Sequence, residues 1–300
     1  MTVHIGVHPH NPSLYHLSRL GLLETLLRPL GEQVEWHRVG GLDTAAALAD
    51  GRIDFGGTGS TPPLSAQADG HDLVYAAVSA PRPGHGALLV HSGIHTGIQT
   101  VEDLKGQTVD LAIGSWQTHF VSKLLSSHGL DYGRDITARR AGPSSADDLR
   151  EGRIGAWVAQ GAELFAARRA EAVRTLVEAG DVIADRSVFF TRRYFADTRP
   201  EIVGTVVKAL QQADDRVAAN LSEAAEFTAG DQGGTVADWY AALAVLPWRL
   251  EPVSDAFLAE QQEAADILAA AGFLAKPIEV AQIRHAGLDQ AVTTELGVNR

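Results

Sequence analysis

The residues best placed to do chemistry in this chain gather where a strand passes through glycine and hydroxyl residues into a helix. One such junction is DGRIDFGGTGSTPP, in which Gly56, Gly57 and Gly59 lead to Ser60 and Thr61 directly ahead of Pro62. Ser and Thr are preferred N-caps, and proline is tolerated at the first helical position because an N–H there has no intrahelical partner anyway. A helix is therefore predicted from Pro62. Backbone free of side chains, followed by the positive end of a helix dipole, suits an anion. A second strand, Gly114, Ser115 junction leads into a predicted helix over 116–128 and repeats the chemistry. Either one alone is a helix cap that stabilises its own helix by about 0.5–2 kcal/mol. The pair, one in each half of the chain, points to a shared ligand.

Histidines are the other candidates. His8 and His10 lie at a predicted strand end on one face, an arrangement that metal-dependent hydrolases use. Those enzymes need further His and Asp ligands at later strand ends. Here only His119, His37 and His71 are available, with no carboxylate at a matching place, so no metal and no cofactor is expected. His4 and His16 invite the same metal reading, and most of these histidines read as surface or satisfied core groups. Trp116 and Trp157 could line a pocket with one ring edge, because a buried indole needs a partner for its N–H.

The elements that must position these groups alternate between strand and helix. Strands are predicted over 3–7, 33–39, 52–55 and 73–79. Helices are predicted over 13–27 (capped by Ser13), 43–49 and 62–68. Pro81-Arg82-Pro83-Gly84 breaks the pattern, and a crossing into a second lobe is placed near residue 85. Strands 86–90, 108–113, 154–158 and 175–178 then alternate with helices 100–104, 116–128, 144–150 and 161–170. The apolar run Val188-Phe189-Phe190 returns to the first lobe. The remainder is helical (199–220, 221–228, 235–246 and 255–271), with Phe257, Ala264, Ile267, Leu268 and Ala271 as a packing stripe. Such alternation predicts βαβ units with parallel strands. LADGRIDFG is echoed by LREGRIGAW about 100 residues later, too long a period for a solenoid, so two related lobes fit better. They are predicted as 1–86 with 187–300, and 87–186.

Composition sets the outer bounds. With 300 residues and 45% hydrophobic content, the chain can build a sizeable core in more than one lobe. A net charge of −12 argues against nucleic acid as a partner, since phosphate contacts need clustered Lys and Arg. The absence of cysteine excludes disulfides, thiolate nucleophiles and Cys-ligated zinc. No run approaches the ~18 apolar residues of a spanning helix. No basic segment, apolar core or small-residue cleavage site opens the chain. It is expected to be cytoplasmic as it stands, or extracytoplasmic if a leader has been removed, and monomeric.

Four segments, IDFGGTGSTPPLSAQADG, DLKGQTVDLAIGSWQTHFVSKLL, GRIGAWV and EQQEAADILAAAGFLAKPI, sample most of the length in one order. In them the chain resembles the substrate-binding proteins of ABC importers for aliphatic sulfonates, a group that also serves taurine, nitrate and pyrimidine precursors. The resemblance implies a type II periplasmic-binding-protein fold, two α/β lobes closing on ligand in the cleft between them. It implies ligand contacts from Gly59, Ser60 and Thr61 on the first lobe. On the second it implies Ser115, Trp116, Gln117, Thr118 and His119, with Trp157 on a cleft-lining strand. His8, His10, Asn11, Ser79, Gly114 and Gln160 complete the expected set. No arginine is predicted beside His8 or His119, so the anion is expected to be held by backbone N–H groups and hydroxyls, helped by imidazolium below neutral pH. The family usually has an acidic residue and then Trp-Asp-Pro after the second GRI. This chain has Gly155 and then Ala159-Gln160-Gly161-Ala162.

The fold implied also carries enzymes, among them the aromatic sulfinate desulfinase of the dibenzothiophene pathway. In the resemblance its nucleophilic cysteine falls on His8 and its catalytic arginine on Asp54, so that chemistry is not expected. The related thiamine-pyrimidine synthases depend on a cysteine-rich segment that is absent. The expected function is capture of a small organic anion, a sulfonate above all, for an ABC permease. The alternative is a cytoplasmic desulfinase- or lyase-like enzyme, with His8 and His119 as its acid/base pair.

Overall fold

A computed structural model describes residues 1–93 and 97–297. The strands are β1 (Thr2–Val7), β2 (Gln33–Arg38), β3 (Phe55–Thr58), β4 (Leu73–Ser79), β5 (Gly86–His91), β6 (Thr108–Leu111), β7 (Thr137–Arg140), β8 (Ala156–Gln160), β9 (Val173–Glu178), β10 (Val188–Arg192) and β11 (Leu250–Glu251). They form a six-stranded sheet, β11-β4-β10-β3-β1-β2, and a five-stranded sheet, β7-β6-β8-β5-β9. The chain leaves the first sheet after β4, builds the whole second sheet, and returns in β10. That strand inserts antiparallel between β3 and β4. The expected two-lobe α/β architecture follows, with two crossings between the lobes.

Strand alternation explains why each sheet is covered on both faces. Successive side chains point to opposite sides. Phe189 therefore packs with Val3, Ile5, Leu14 and Leu210, while its neighbour Phe190 packs with Leu48, Ile53, Tyr75 and Phe257. In the second lobe Leu88 joins the cluster around Phe120 and Leu124, and Leu89 joins the one around Leu149 and Trp157. A carboxyl is buried in the first lobe. Asp214, on the helix Pro200–Ala219, accepts a hydrogen bond from the Ser13 hydroxyl (3.1 Å), and burial pushes its carboxyl up to about 8.

Several boundaries differ from expectation for local reasons. The helix predicted over 13–27 is broken at Gly21, which takes a left-handed φ of 64°, giving Pro12–Leu20 and Leu22–Leu27. Its cap is Asn11, whose Oδ1 accepts from the Leu14 N–H at 3.1 Å, rather than Ser13. The strand predicted over 52–55 begins only at Phe55, because the repeated GRI closes a helix instead of opening a strand. After the helices Thr44–Ala49 and Ser145–Arg150, Gly51 and Gly152 take φ of 73° and 70°. The Arg52 and Arg153 N–H groups fold back onto the Ala47 and Asp148 carbonyls at 2.9 and 2.8 Å. The sequence echo is thus one helix-ending turn used twice. Sequence periodicity missed β7, the two-residue β11 and the helix Ala286–Glu295.

Candidate functional site

A cavity of about 420 Å³ opens where the two lobes meet. His8 and His10, just past the end of β1, line it together with Leu42, Thr58, Gly59 and Pro62. From the second lobe come Ser115, Trp116 and Gln117 at a helix start, and Trp157, Gln160 and Glu163 from β8 and the helix after it. The two crossings supply Arg82, His85 and Ser187. The lobes approach closely. The Gln160 amide reaches the His10 ring at 3.5 Å, and a Cβ on Gly59 would sit 3.1 Å from the Trp116 ring.

The crossings carry the densest polar network. The Arg82 N–H donates to the Ala184 and Asp185 carbonyls (3.2 and 3.0 Å), and the Ser79 N–H to that of Ser187 (2.8 Å), so the two segments run side by side. Asp185 is buried, with φ of 36°, a left-handed conformation that aspartate tolerates better than most residues. Its carboxylate accepts from Arg82 Nη2 and from His85 Nδ1, both at 2.8 Å. Burial works against that negative charge, but Arg82 and His85 outweigh it and hold the carboxyl below its ordinary range. Burial and the neighbouring guanidinium lower the pKa of His85, so the ring is neutral and gives its Nδ1–H to Asp185. Arg82 also donates from Nη1 to the Ser187 hydroxyl (3.0 Å). Its Nε–H, buried at the hinge, has no partner among the described residues.

Across the cleft, Ser115 caps the helix Trp116–Ser127. Its hydroxyl accepts from the Gln117 N–H at 3.2 Å and donates to the Ala112 carbonyl at 2.7 Å. The N–H of Trp116, the first helical residue, is left without an intrahelical acceptor. The indole donates from Nε1 to Gln160 Oε1 at 2.9 Å, and its far edge lies against Gly86, where an added Cβ would collide with it. Gly86→Val is therefore expected to push Trp116 out of place and break its bond to Gln160. Anion affinity should fall at least tenfold in a fluorescence titration while the far-ultraviolet circular dichroism stays unchanged.

Not every expected residue reaches the cavity. Asn11, Ser60, Thr61, Ser79, Gly114, Thr118 and His119 do not line it. Asn11 is spent on its helix cap. Ser60 precedes the helix Thr61–Ala68 but has helical backbone angles and makes no side-chain cap bond, and the buried Thr61 hydroxyl has no partner among the described residues. Ser79 donates to the Ala80 carbonyl (2.9 Å) and accepts from the Ser187 N–H (2.9 Å), which ties the hinge together. Gly114 and Thr118 bond each other, N–H to hydroxyl at 2.8 Å.

The histidines also differ from expectation. Burial brings His8 down to about 4, although its hydrogen bond to the Gly57 carbonyl (2.9 Å) works the other way. Burial, reinforced by Lys123, brings His119 to about 4 as well, and neither of its ring nitrogens has a partner among the described residues. Neither ring supplies an imidazolium near neutral pH, and the two do not meet in the cavity. The cation there is Arg82. Sequence periodicity passed over it because it sits in a proline-broken segment with no helical or strand pattern. An arginine held between prolines at a lobe crossing was the available signal. Glu163 went unnoticed too. It is the one carboxylate among the lining residues, and burial raises its pKa against the pull of His10.

Trp157 belongs also to an adjoining cavity of about 280 Å³, walled by Leu149, Ala166, Ala167 and Val173. The two spaces share Gly142, Pro143, Trp157 and Glu163. The cleft thus adjoins a smaller annex whose lining is more apolar.

Several proteins similar to this chain are described as sulfonate binders. A putative aliphatic sulfonates-binding protein of Escherichia coli K12 is 28% identical over 240 residues, 79% of this chain and 74% of that protein. The alkanesulfonate-binding protein SsuA of Xanthomonas axonopodis pv. citri, solved with MOPS, superposes with a TM-score of 0.82 at 28% identity, over 95% of this chain and 98% of that one. The periplasmic aliphatic sulphonate-binding protein SsuA of Escherichia coli gives 0.86 at 26% identity, over 95% and 92%. The fold is the two-lobe periplasmic-binding-protein fold. A family model described as NMT1/THI5 like matches residues 34–224, and the chain belongs to that family.

Proposed function

We propose that this chain is the solute-binding component of an ABC importer and closes on a small organic anion, a sulfonate above all. Residues 1–86 with 187–300 act as one lobe and 87–186 as the other. The observation that carries this is Arg82, a buried guanidinium between the lobes that lines the cavity and whose Nε–H has no partner among the described residues. Because Asp185 offsets its charge, the anion is held by directed N–H donors from Arg82 and the Trp116 helix start, with little net positive charge. The sulfonate head sits between them and the organic substituent enters the annex beside Trp157. The protein works outside the cytoplasm as a monomer and hands its ligand to a permease. No helix among the described residues is long and apolar enough to cross a membrane.

The test is a titration with ethanesulfonate, sulfate and acetate, followed by tryptophan fluorescence and thermal shift. Saturable one-to-one binding that favours the sulfonate is expected. No response to any alkanesulfonate overturns the reading. Glu163→Gln removes the cavity's own negative charge, so it is expected to tighten sulfonate binding by about fivefold at low salt, with the gain shrinking as salt is added. Weaker binding instead would mean that the carboxylate touches the ligand directly.

A further inference from the structure

A second cluster lies away from the cleft, on the outer pair of the first sheet. β2 is the edge strand and runs parallel to β1, in a register that sets His4 against Glu35 and Gly6 against His37. Residues two apart on a strand share a face, so Glu35 and His37 lie side by side and His4 meets them across the pair. His4 Nδ1 and His37 Nε2 are 2.9 Å apart. Glu35 oxygens lie 3.7 Å from the first nitrogen and 3.6 Å from the second.

These distances match a tetrahedral metal. With bonds of roughly 2.1 Å, two ligand atoms on one Zn²⁺ stand about 3.4 Å apart, and the ring-to-ring distance of 2.9 Å and the distances of 3.7 and 3.6 Å from the rings to the two separate Glu35 oxygens lie on either side of that value. The set of two imidazoles and one carboxylate is what borderline cations of this kind favour. The two ring nitrogens lie within hydrogen-bond distance, so one ring can donate to the other. A dication between them would face both lone pairs and the carboxylate together once the donor ring takes its other tautomer, with its N–H moved to the far ring nitrogen and no net proton released. The backbone beneath is held in position, since the His4 N–H donates to Asp54 (3.0 Å), whose other oxygen is held by Arg192 (2.7 Å). All three side chains are partly open to solvent, which leaves a path for entry and room for water as fourth ligand.

We propose that His4, Glu35 and His37 form a divalent transition-metal site that clips the edge strand β2 to β1. None of the three residues lines the cleft, so the site stands whether or not the chain binds sulfonates. The sequence set His4 and His37 beside other histidines as metal candidates and matched no carboxylate to them. Parallel pairing of strands about 30 residues apart is what brings them together.

The experiment is calorimetric titration of the chelator-stripped full chain with Zn²⁺, alongside thermal melts. One equivalent should bind in the micromolar range and raise the melting temperature. His4→Ala and His37→Ala should each weaken that event at least tenfold, and Glu35→Gln a few-fold, while His10→Ala and His71→Ala leave it unchanged. Metal-free melts of the same variants establish that they fold, and His37→Gln serves if His37→Ala does not. Binding of one equivalent that survives both His4→Ala and His37→Ala overturns the proposal. So does the absence of binding below millimolar Zn²⁺.

Discussion

Arg82→Met is expected to abolish sulfonate binding, a loss of at least a hundredfold in affinity. Hydrogen bonds to charged groups contribute about 1.5–3 kcal/mol each, and Arg82 is the cationic donor lining the cavity. The same change strands Asp185. Leaving one partner of a buried ion pair uncompensated typically costs about 3–5 kcal/mol, so the single variant will also melt lower, and lost binding alone would be ambiguous. The double change Arg82→Met with Asp185→Asn separates the effects. Asparagine tolerates the left-handed backbone at 185 and can still accept from His85, so stability should largely return. Binding should not. A double variant that binds ethanesulfonate within threefold of the parent would sink the assignment of Arg82 as the anion's anchor.

The second large effect is on stability against pH. Burial lowers His8, His16 and His119 from 6.5 to about 4, so between those values the unfolded chain takes up three protons that the native state refuses. Asp214 works in the opposite sense. Its carboxyl rises from 3.8 to about 8, so over the same window the native state keeps one proton that the unfolded chain gives up. The net is two protons in favour of unfolding as pH falls, a loss of roughly 2.7 kcal/mol per pH unit below 6.5. From pH 6.5 to about 8 only Asp214 counts, and stability declines by about 1.4 kcal/mol per unit as pH rises. These four groups therefore place maximum stability near pH 6.5, with the steeper fall on the acid side. Urea unfolding from pH 4 to 9 measures it directly. Asp214→Asn should flatten the alkaline limb, and His119→Gln should make the acid limb shallower by about half. A profile that rises steadily as pH falls to 5 contradicts the assignment of the buried histidines.

How much of this was legible in advance depends on the range of the interaction involved. The alternation of strands and helices, the return at Val188-Phe189-Phe190 and the Ser115 helix start depend on neighbours within a few residues, and they appear in periodicity and capping residues. The repeated GRI was visible as a repeat but was assigned to a strand. A left-handed glycine that closes a helix and a turn that opens a strand share the same composition, and only the return hydrogen bonds to Ala47 and Asp148 distinguish them.

Sequence by itself determined that this chain makes two α/β lobes with a hydroxyl-capped helix start in the second, and that it carries neither the thiol chemistry nor the basic surface of other classes. Tertiary structure decided what fills the space between the lobes. Arg82 and Asp185 are 103 positions apart and meet only because the chain crosses between the lobes twice. Ser60, Thr61 and His119, by contrast, are drawn off the cleft by the packing of their own helices. Local pattern fixes which groups a segment offers. Burial and long-range pairing fix which of them remain free, charged and facing one another.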